Sequence, residues 1–199
     1  NNNLFNSVAL YNSSDNMQIY DKVRRMPFGE YWPFKSIFTF FGLGNIIPGR
    51  DYTMGAAIKP LLFKEHKLGL GICLESMYPS FYREQVHQGA DVLIALANSA
   101  WFHESWISAS LFHMGVFRAV ENGRYFIQSS NIGLSGIISE RGDIIQVSQL
   151  NQQESLIYDL KADQRDTLFG RFGNWVIGLC FFALFYLLIK KNPSLYQRL

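Results

Sequence analysis

Cysteine is scarce in this chain: Cys73 and Cys180 are the only two among 199 residues. Two cannot build a disulfide framework, and Cys180 lies inside an apolar run where bridging to Cys73 is not expected, so both are read as free thiols. Charge of either sign is also thin. A formal net charge of +2 is too small to argue for nucleic acid, while 48% hydrophobic and 16% aromatic residues exclude a disordered chain. The chain opens on Asn1-Asn2-Asn3, with no methionine, no charged leader region and no apolar run behind it. That excludes a signal peptide and predicts a sequence that begins in mid-protein. His66, His87, His103 and His113 are scattered, with no pair at i and i+4 and no clustered cysteine, so no metal is expected. Gly133-Leu134-Ser135-Gly136 is not the nucleophile elbow of serine hydrolases, and Gly69-Leu70-Gly71 lacks the third glycine of a dinucleotide loop. No cofactor is expected, and there are no internal repeats.

What the chain does have is a long apolar run near its C-terminal end. Residues 172–189, FGNWVIGLCFFALFYLLI, carry no formal charge and as one helix would reach ~27 Å, close to a bilayer core. The composition predicts a transmembrane helix over 171–190, with Trp175 as an interfacial aromatic. Lys190, Lys191 and Arg198 then make 191–199 a basic cytoplasmic tail by the positive-inside rule, although Arg165 and Arg171 pull the other way. The competing reading of the run is a buried core helix.

Residues 1–170 read as one α/β domain. Ser7-Val8-Ala9-Leu10-Tyr11 and Gln18-Ile19-Tyr20 predict a hairpin around a polar turn at 12–16. A loop shaped by Pro27 and Gly29 follows, carrying Lys22 and Glu30. The aromatic stretch 32–41 reads as ordinary core with a short helix at 34–41; a sharper alternative is that it meets lipid. Strands are expected at 58–63, 67–73, 91–98, 125–131, 135–139, 144–148 and 155–158. Helices are expected at 79–88, with a proline in the first turn and Gly89 as the stop, and at 104–122, with Gly123 beyond the end. On the second helix Trp106, Ser110, His113, Phe117 and Val120 share a face, and Arg118, Glu121 and Arg124 read either as a surface ladder or as a structural pair.

The chemistry centres on Leu68-Gly69-Leu70-Gly71-Ile72-Cys73-Leu74-Glu75, a small-residue strand that ends in a cysteine and then a carboxylate. Free cysteine is usually an inert buried hydrophobe. At the carboxyl end of a strand, with a helix behind it, a thiol can instead face a crevice and use nearby N–H groups as oxyanion donors. A lysine beside it favours the thiolate, and a carboxylate can take its proton. Cys73, Lys22, Glu30 and Glu75 therefore suffice for acyl transfer through a thioester, although charged loop residues are more often merely solvated.

Several motifs in order carry a family resemblance: Tyr20-Asp21-Lys22, Met26-Pro27-Phe28-Gly29-Glu30-Tyr31, Gly71-Ile72-Cys73-Leu74-Glu75, Asn98-Ser99-Ala100-Trp101-Phe102, Arg118-Ala119-Val120-Glu121-Asn122-Gly123-Arg124, Ser130-Asn131-Ile132-Gly133 and Gly173-Asn174-Trp175. Together they resemble the carbon–nitrogen hydrolase (nitrilase) superfamily and, within it, the C-terminal part of the bacterial apolipoprotein N-acyltransferases. The resemblance implies a nitrilase-like α-β-β-α sandwich, truncated at its N-terminal side and followed by one C-terminal transmembrane helix. It implies Cys73 as nucleophile, Lys22 with the Leu74 N–H as oxyanion donors, Glu30 and Glu75 as supporting carboxylates, and Trp101 and Asn131 at the substrate-binding surface. The implied partners are a phospholipid acyl donor, a diacylglyceryl apolipoprotein acceptor and the membrane itself. The implied location is the bacterial inner membrane, multi-pass in the full-length protein, with the catalytic domain periplasmic. Two departures stand out. The family's general-base glutamate lies upstream of the first hairpin, outside this chain, and Ser99 and His103 replace residues usual beside Ala-Trp-Phe. A membrane-anchored amidase of the same superfamily and an inactive fragment without the general base are the competing readings.

Overall fold

The computed structural model describes residues 3–11, 17–43, 51–102, 106–161 and 164–191. An antiparallel hairpin comes first, β1 (Ser7–Tyr11) against β2 (Met17–Asp21), paired from Ser7↔Asp21 to Tyr11↔Met17; its expected polar turn lies outside the described residues. A six-stranded sheet follows in sequence order: β3 (Leu61–Phe63), β4 (His66–Ile72), β5 (Val92–Ala97), β6 (Phe126–Ser130), β7 (Gly136–Ile138) and β8 (Ile144–Val147). Only the β4-β5-β6 centre is parallel. Its two crossovers run through α2 (Pro79–His87) and α3 (Trp106–Asn122). The helix α1 (Lys35–Phe40) lies in the segment between hairpin and sheet.

The glycines of β4 let α2 come close. A Cβ on Gly71 would run into the Tyr82 hydroxyl and stand 3.1 Å from Phe81. That face of the sheet, with Leu93, Ala95, Phe126 and Ile138, packs with Phe81, Tyr82, Phe112 and Ala119 of the two helices. Leu70 and Ile72, turned the other way, share the core with Tyr20, Val8 and Leu10 of the hairpin. Of the expected α-β-β-α sandwich, the described residues therefore show a helix-covered six-stranded sheet and a two-stranded hairpin.

Several expectations need correcting. The strand expected at 58–63 shrinks to its last three residues, since Pro60 has no N–H to give a ladder. Residues 155–158 form no strand. Leu156 and Leu160 lie over Val92, Tyr125 and Ile137, so this segment covers a face of the sheet and does not extend its edge. The α3 face carrying Trp106, Phe117 and Val120 is exposed; Leu111, Phe112, Gly115, Arg118 and Ala119 are the buried side. Arg118 pairs with Glu121 at 3.0 Å and is buried, so the structural pair holds. Arg124 leaves the ladder for the carbonyls of Ala90, Gly123 and Arg165. The aromatic stretch at 32–41 is not core, for Phe34, Phe40 and Phe41 are all exposed.

The apolar run at 172–189 is not one helix either. Phe172 closes α4 (Leu168–Phe172), Gly173 turns the chain at φ +62°, and α5 (Trp175–Lys191) starts afresh. The part of α5 before Lys190 spans only ~22 Å at the helical rise, short of the ~30 Å bilayer core. Among the described residues no helix is long and apolar enough to cross a membrane. The side chains of α5 are nonetheless exposed and apolar around the helix, including Val176, Phe181, Phe182, Phe185 and Leu188. Arg83 and His87 of α2 donate to the carbonyls of residues 169–171 and tie α4 to the domain. The expected tail at 192–199 lies outside the described residues.

Candidate active site

Parallel pairing brings three strand ends to one edge. Ile72 pairs with Leu96 and Ala97 with Ser130, so Cys73, Asn98 and Asn131, each just past its strand, arrive together. They line a cleft of about 760 Å³ whose wall includes Lys22 and Glu30. Cys73 stands in a left-handed conformation, φ +55°, where the chain breaks from β4 into a single 3₁₀ turn ahead of α2. That conformation is costly for a residue with a side chain, and it turns the chain sharply at the strand end, where the thiol meets the cleft.

Lys22 follows β2 and is 3% exposed, an unusual place for an ammonium. Its Nζ donates to Glu30 Oε1 at 2.8 Å, and its backbone N–H donates to the Asn6 carbonyl. Glu30 comes back on the loop opened by Pro27. It also accepts the Asn6 carboxamide at 2.9 Å and the Met26 N–H at 2.8 Å. Burial opposes its charge, but Lys22, Met26 and Asn6 outweigh that and hold its carboxyl below the ordinary value.

Glu75 sits behind the cleft, fully buried. It accepts the Ile72 N–H at 2.8 Å, the Val23 and Arg24 N–H groups at 2.9 Å each, and the Tyr20 hydroxyl at 2.9 and 3.0 Å on its two oxygens. It thus ties the residue before Cys73 to the two residues after Lys22. Burial raises its carboxyl above the ordinary value against these donors.

Burial also pushes the Cys73 thiol up. The Lys22 charge and the Leu74 N–H draw it back, and Glu30 and Glu75 add to the rise. A thiol so placed rests protonated and needs a base to become a nucleophile, with a cation and an N–H at hand to hold the oxyanion that follows. Asn131 is tied into the far wall: its Oδ1 accepts the Ser99 N–H at 2.9 Å and its Nδ2 donates to Asn98 Oδ1 at 2.8 Å. Ser99 is buried and its hydroxyl meets that of Ser130 at 2.9 Å, so a small residue fits there. The side chain of Trp101 and all of His103 lie outside the described residues. Among the described residues no three His, Cys, Asp or Glu gather as metal ligands.

Sequence reasoning did not single out Asn6, Asn98 or the partnership of Tyr20 with Glu75. The alternation of β2 already puts Tyr20 and Lys22 on one face, and the register that pairs Ser7 with Asp21 puts Asn6 beside Lys22. What a hairpin cannot announce is the carboxylate, 55 positions on, that Tyr20 meets.

The carbon-nitrogen hydrolase family model matches residues 1–167. The chain belongs to the carbon–nitrogen hydrolase family. Its fold is similar to that of a carbon-nitrogen hydrolase from Helicobacter pylori G27, with a TM-score of 0.58 at 18% identity over 75% of this chain and 54% of that one. A second similar structure is Saccharomyces cerevisiae Nit3, of the nitrilase superfamily, with a TM-score of 0.53 at 18% identity over 75% of this chain and 51% of that one. Among curated relatives of this carbon–nitrogen hydrolase, the apolipoprotein N-acyltransferase of Thermotoga maritima is 32% identical over 85% of this chain and 34% of its own length. That of Rickettsia bellii is 37% identical over 92% of this chain and 37% of its own length. The chain thus spans about a third of the length of these relatives.

Proposed function

We propose that this chain carries the acyl-transfer centre of an apolipoprotein N-acyltransferase, forming the C-terminal part of that enzyme. The observation that carries the reading is the left-handed Cys73 at the parallel strand ends, sharing one cleft with the buried Lys22–Glu30 pair; the similarity to the Thermotoga and Rickettsia enzymes supports the substrate class.

In this reading the Cys73 sulfur attacks an ester carbonyl of a phospholipid. A C–S bond forms, the ester C–O bond breaks, and the lysolipid oxygen leaves with a proton. Lys22 and the Leu74 N–H hold the oxyanion. The α-amino group of a diacylglyceryl-cysteine at a lipoprotein N-terminus then attacks the thioester, forming C–N as C–S breaks, and the amine proton returns to the released Cys73 sulfur. Glu30 is committed to Lys22, Met26 and Asn6, and Glu75 to its own buried donors. Neither is free to take the Cys73 proton, so the general base is another group. Asn131, with Asn98, shapes the substrate side of the cleft, where Trp101 also belongs. Both substrates are lipids, and the chain offers two exposed apolar elements to meet them: α1, with Phe40 84% exposed, and the lipid-contacting helix α5. In this reading the domain works on the periplasmic side of a bacterial inner membrane.

The test is intact mass of the full-length protein after incubation with phospholipid. An added acyl mass on the wild type and none on Cys73→Ala is expected. An acyl adduct persisting in Cys73→Ala rejects Cys73 as nucleophile, and turnover of small amides with no acyl adduct from phospholipid favours an amidase.

A further inference from the structure

The Glu75 carboxylate is saturated by its donors. Oε1 takes the N–H groups of Val23 and Arg24 and a share of the Tyr20 proton, and Oε2 takes the N–H of Ile72 and the other share. Two carboxylate oxygens offer about four lone-pair sites in all, and these donors occupy them. Three of the donors are backbone and cannot be exchanged by mutation. Tyr20 supplies the one side-chain donor among the described residues, is 1% exposed, and sits in β2 two residues before Lys22, which follows the strand. Its ring meets Phe81 of α2 edge-on, centroids 6.4 Å apart, and its hydroxyl reaches both Glu75 oxygens.

We propose that Tyr20 is a positioning residue for the Cys73–Lys22 pair: its hydroxyl, shared between both Glu75 oxygens, keeps that carboxylate turned to the Val23 and Arg24 amides and so holds Lys22 at the nucleophile. Without the hydroxyl, both Glu75 oxygens lose a donor in a site where burial already favours the protonated acid. A protonated Glu75 becomes a donor itself and must turn away from at least one of the N–H groups it now accepts. The backbone beyond Lys22 is then untied from the turn that carries Cys73, and the lysine charge no longer offsets the burial of the thiol; neutralising Glu75 alone would lower the thiol, so a rise reports the displaced lysine.

The inference rests on the reading of Cys73 as nucleophile, and its test does not require phospholipid to be the donor. The groups acting on the Cys73 charge are Lys22, Glu30 and Glu75, with the Leu74 N–H. In the full-length protein, the rate of Cys73 alkylation by iodoacetamide is followed against pH by peptide mass spectrometry, which separates Cys73 from the exposed Cys180. Tyr20→Phe is expected to shift the profile to higher pH and slow alkylation at neutral pH about tenfold, the effect of weakening one nearby charge. Lys22→Ala should act likewise, and the double variant should be no slower than Lys22→Ala alone. A Tyr20→Phe profile that overlays the wild type, or single effects that multiply in the double variant, overturns the proposal. If Tyr20→Phe loses its melting transition, the same cycle with Glu75→Gln replaces it; loss of the Glu75 charge alone would speed alkylation, so slower alkylation there reports the displaced lysine, and faster or multiplied rates overturn the proposal equally. Absence of an acyl adduct from phospholipid on the wild type would refute the proposed function and leave this cycle readable.

Discussion

Replacing Lys22 with methionine removes the cation from a pair whose side chains are 3% and 13% exposed, and leaves Glu30 with two donors where it had three. Breaking a buried pair from one side costs about 3–5 kcal/mol. The Asn6 and Met26 donors remain, so the lower end, about 3 kcal/mol, is expected. For a chain of this size that lowers Tm by roughly 6–12 °C. The pH dependence changes in a defined direction. Glu30 is held below its ordinary value, so its contribution is complete above the unfolded carboxylate pKa of about 4.3 and is lost as pH falls through the folded value. With Lys22 gone, burial weighs more heavily on Glu30 and its folded pKa rises. The acid loss of stability that Glu30 contributes is then smaller and levels off at higher pH than in the wild type. Methionine keeps most of the aliphatic stem, so packing is little altered. In the acyl-transfer reading, turnover falls by at least ~10²-fold, the scale of losing one oxyanion donor. Melting curves from pH 3 to 8, with acyl transfer measured on the same protein, decide the matter. A Tm within about 2 °C of wild type with an unchanged acid limb would refute the buried pair, and unaltered turnover would refute the role of Lys22.

Two further substitutions probe the architecture around the nucleophile. Cys73→Gly and Cys73→Ala both remove the thiol, but only glycine accepts φ +55° without strain, so the glycine variant should be more stable by about 1 kcal/mol in denaturant unfolding. Equal midpoints would show that the left-handed turn is not held in solution. Gly71→Ala drives a methyl into the Tyr82 hydroxyl under α2, with an expected cost of about 1–3 kcal/mol; an unchanged Tm would mean that α2 does not approach β4 so closely.

The motifs of this chain are local, and the sequence carried them well. Pro79 opening a helix, the buried strand ending at Ala97 and the hairpin of Ser7 to Asp21 all rest on neighbours within a few residues, where propensity and turn chemistry act. The same holds for the strand that delivers Cys73. The failures have the opposite character. Phe34 and Phe40, read as core, are exposed, because hydrophobicity alone does not say which face of a helix meets the core. The run at 172–189 is uniformly apolar in composition, yet Gly173 turns it, a backbone event that a hydropathy sum does not register.

By itself the sequence named the candidate nucleophile, its lysine and the loop glutamate through the order of its motifs and the family they resemble, because residue type alone leaves a buried cysteine as readily inert as reactive. Only the tertiary structure decided what each carboxylate is doing. Glu30 and Glu75 are alike on paper, both acids near a reactive group. In the fold, one faces the cleft and holds an ammonium, while the other is sealed behind it and holds backbone. The cause is burial and donor supply, and both are fixed by contacts across tens of residues: Tyr20 with Glu75, Asn6 with Glu30, and the parallel register that sets Cys73 beside Asn98 and Asn131.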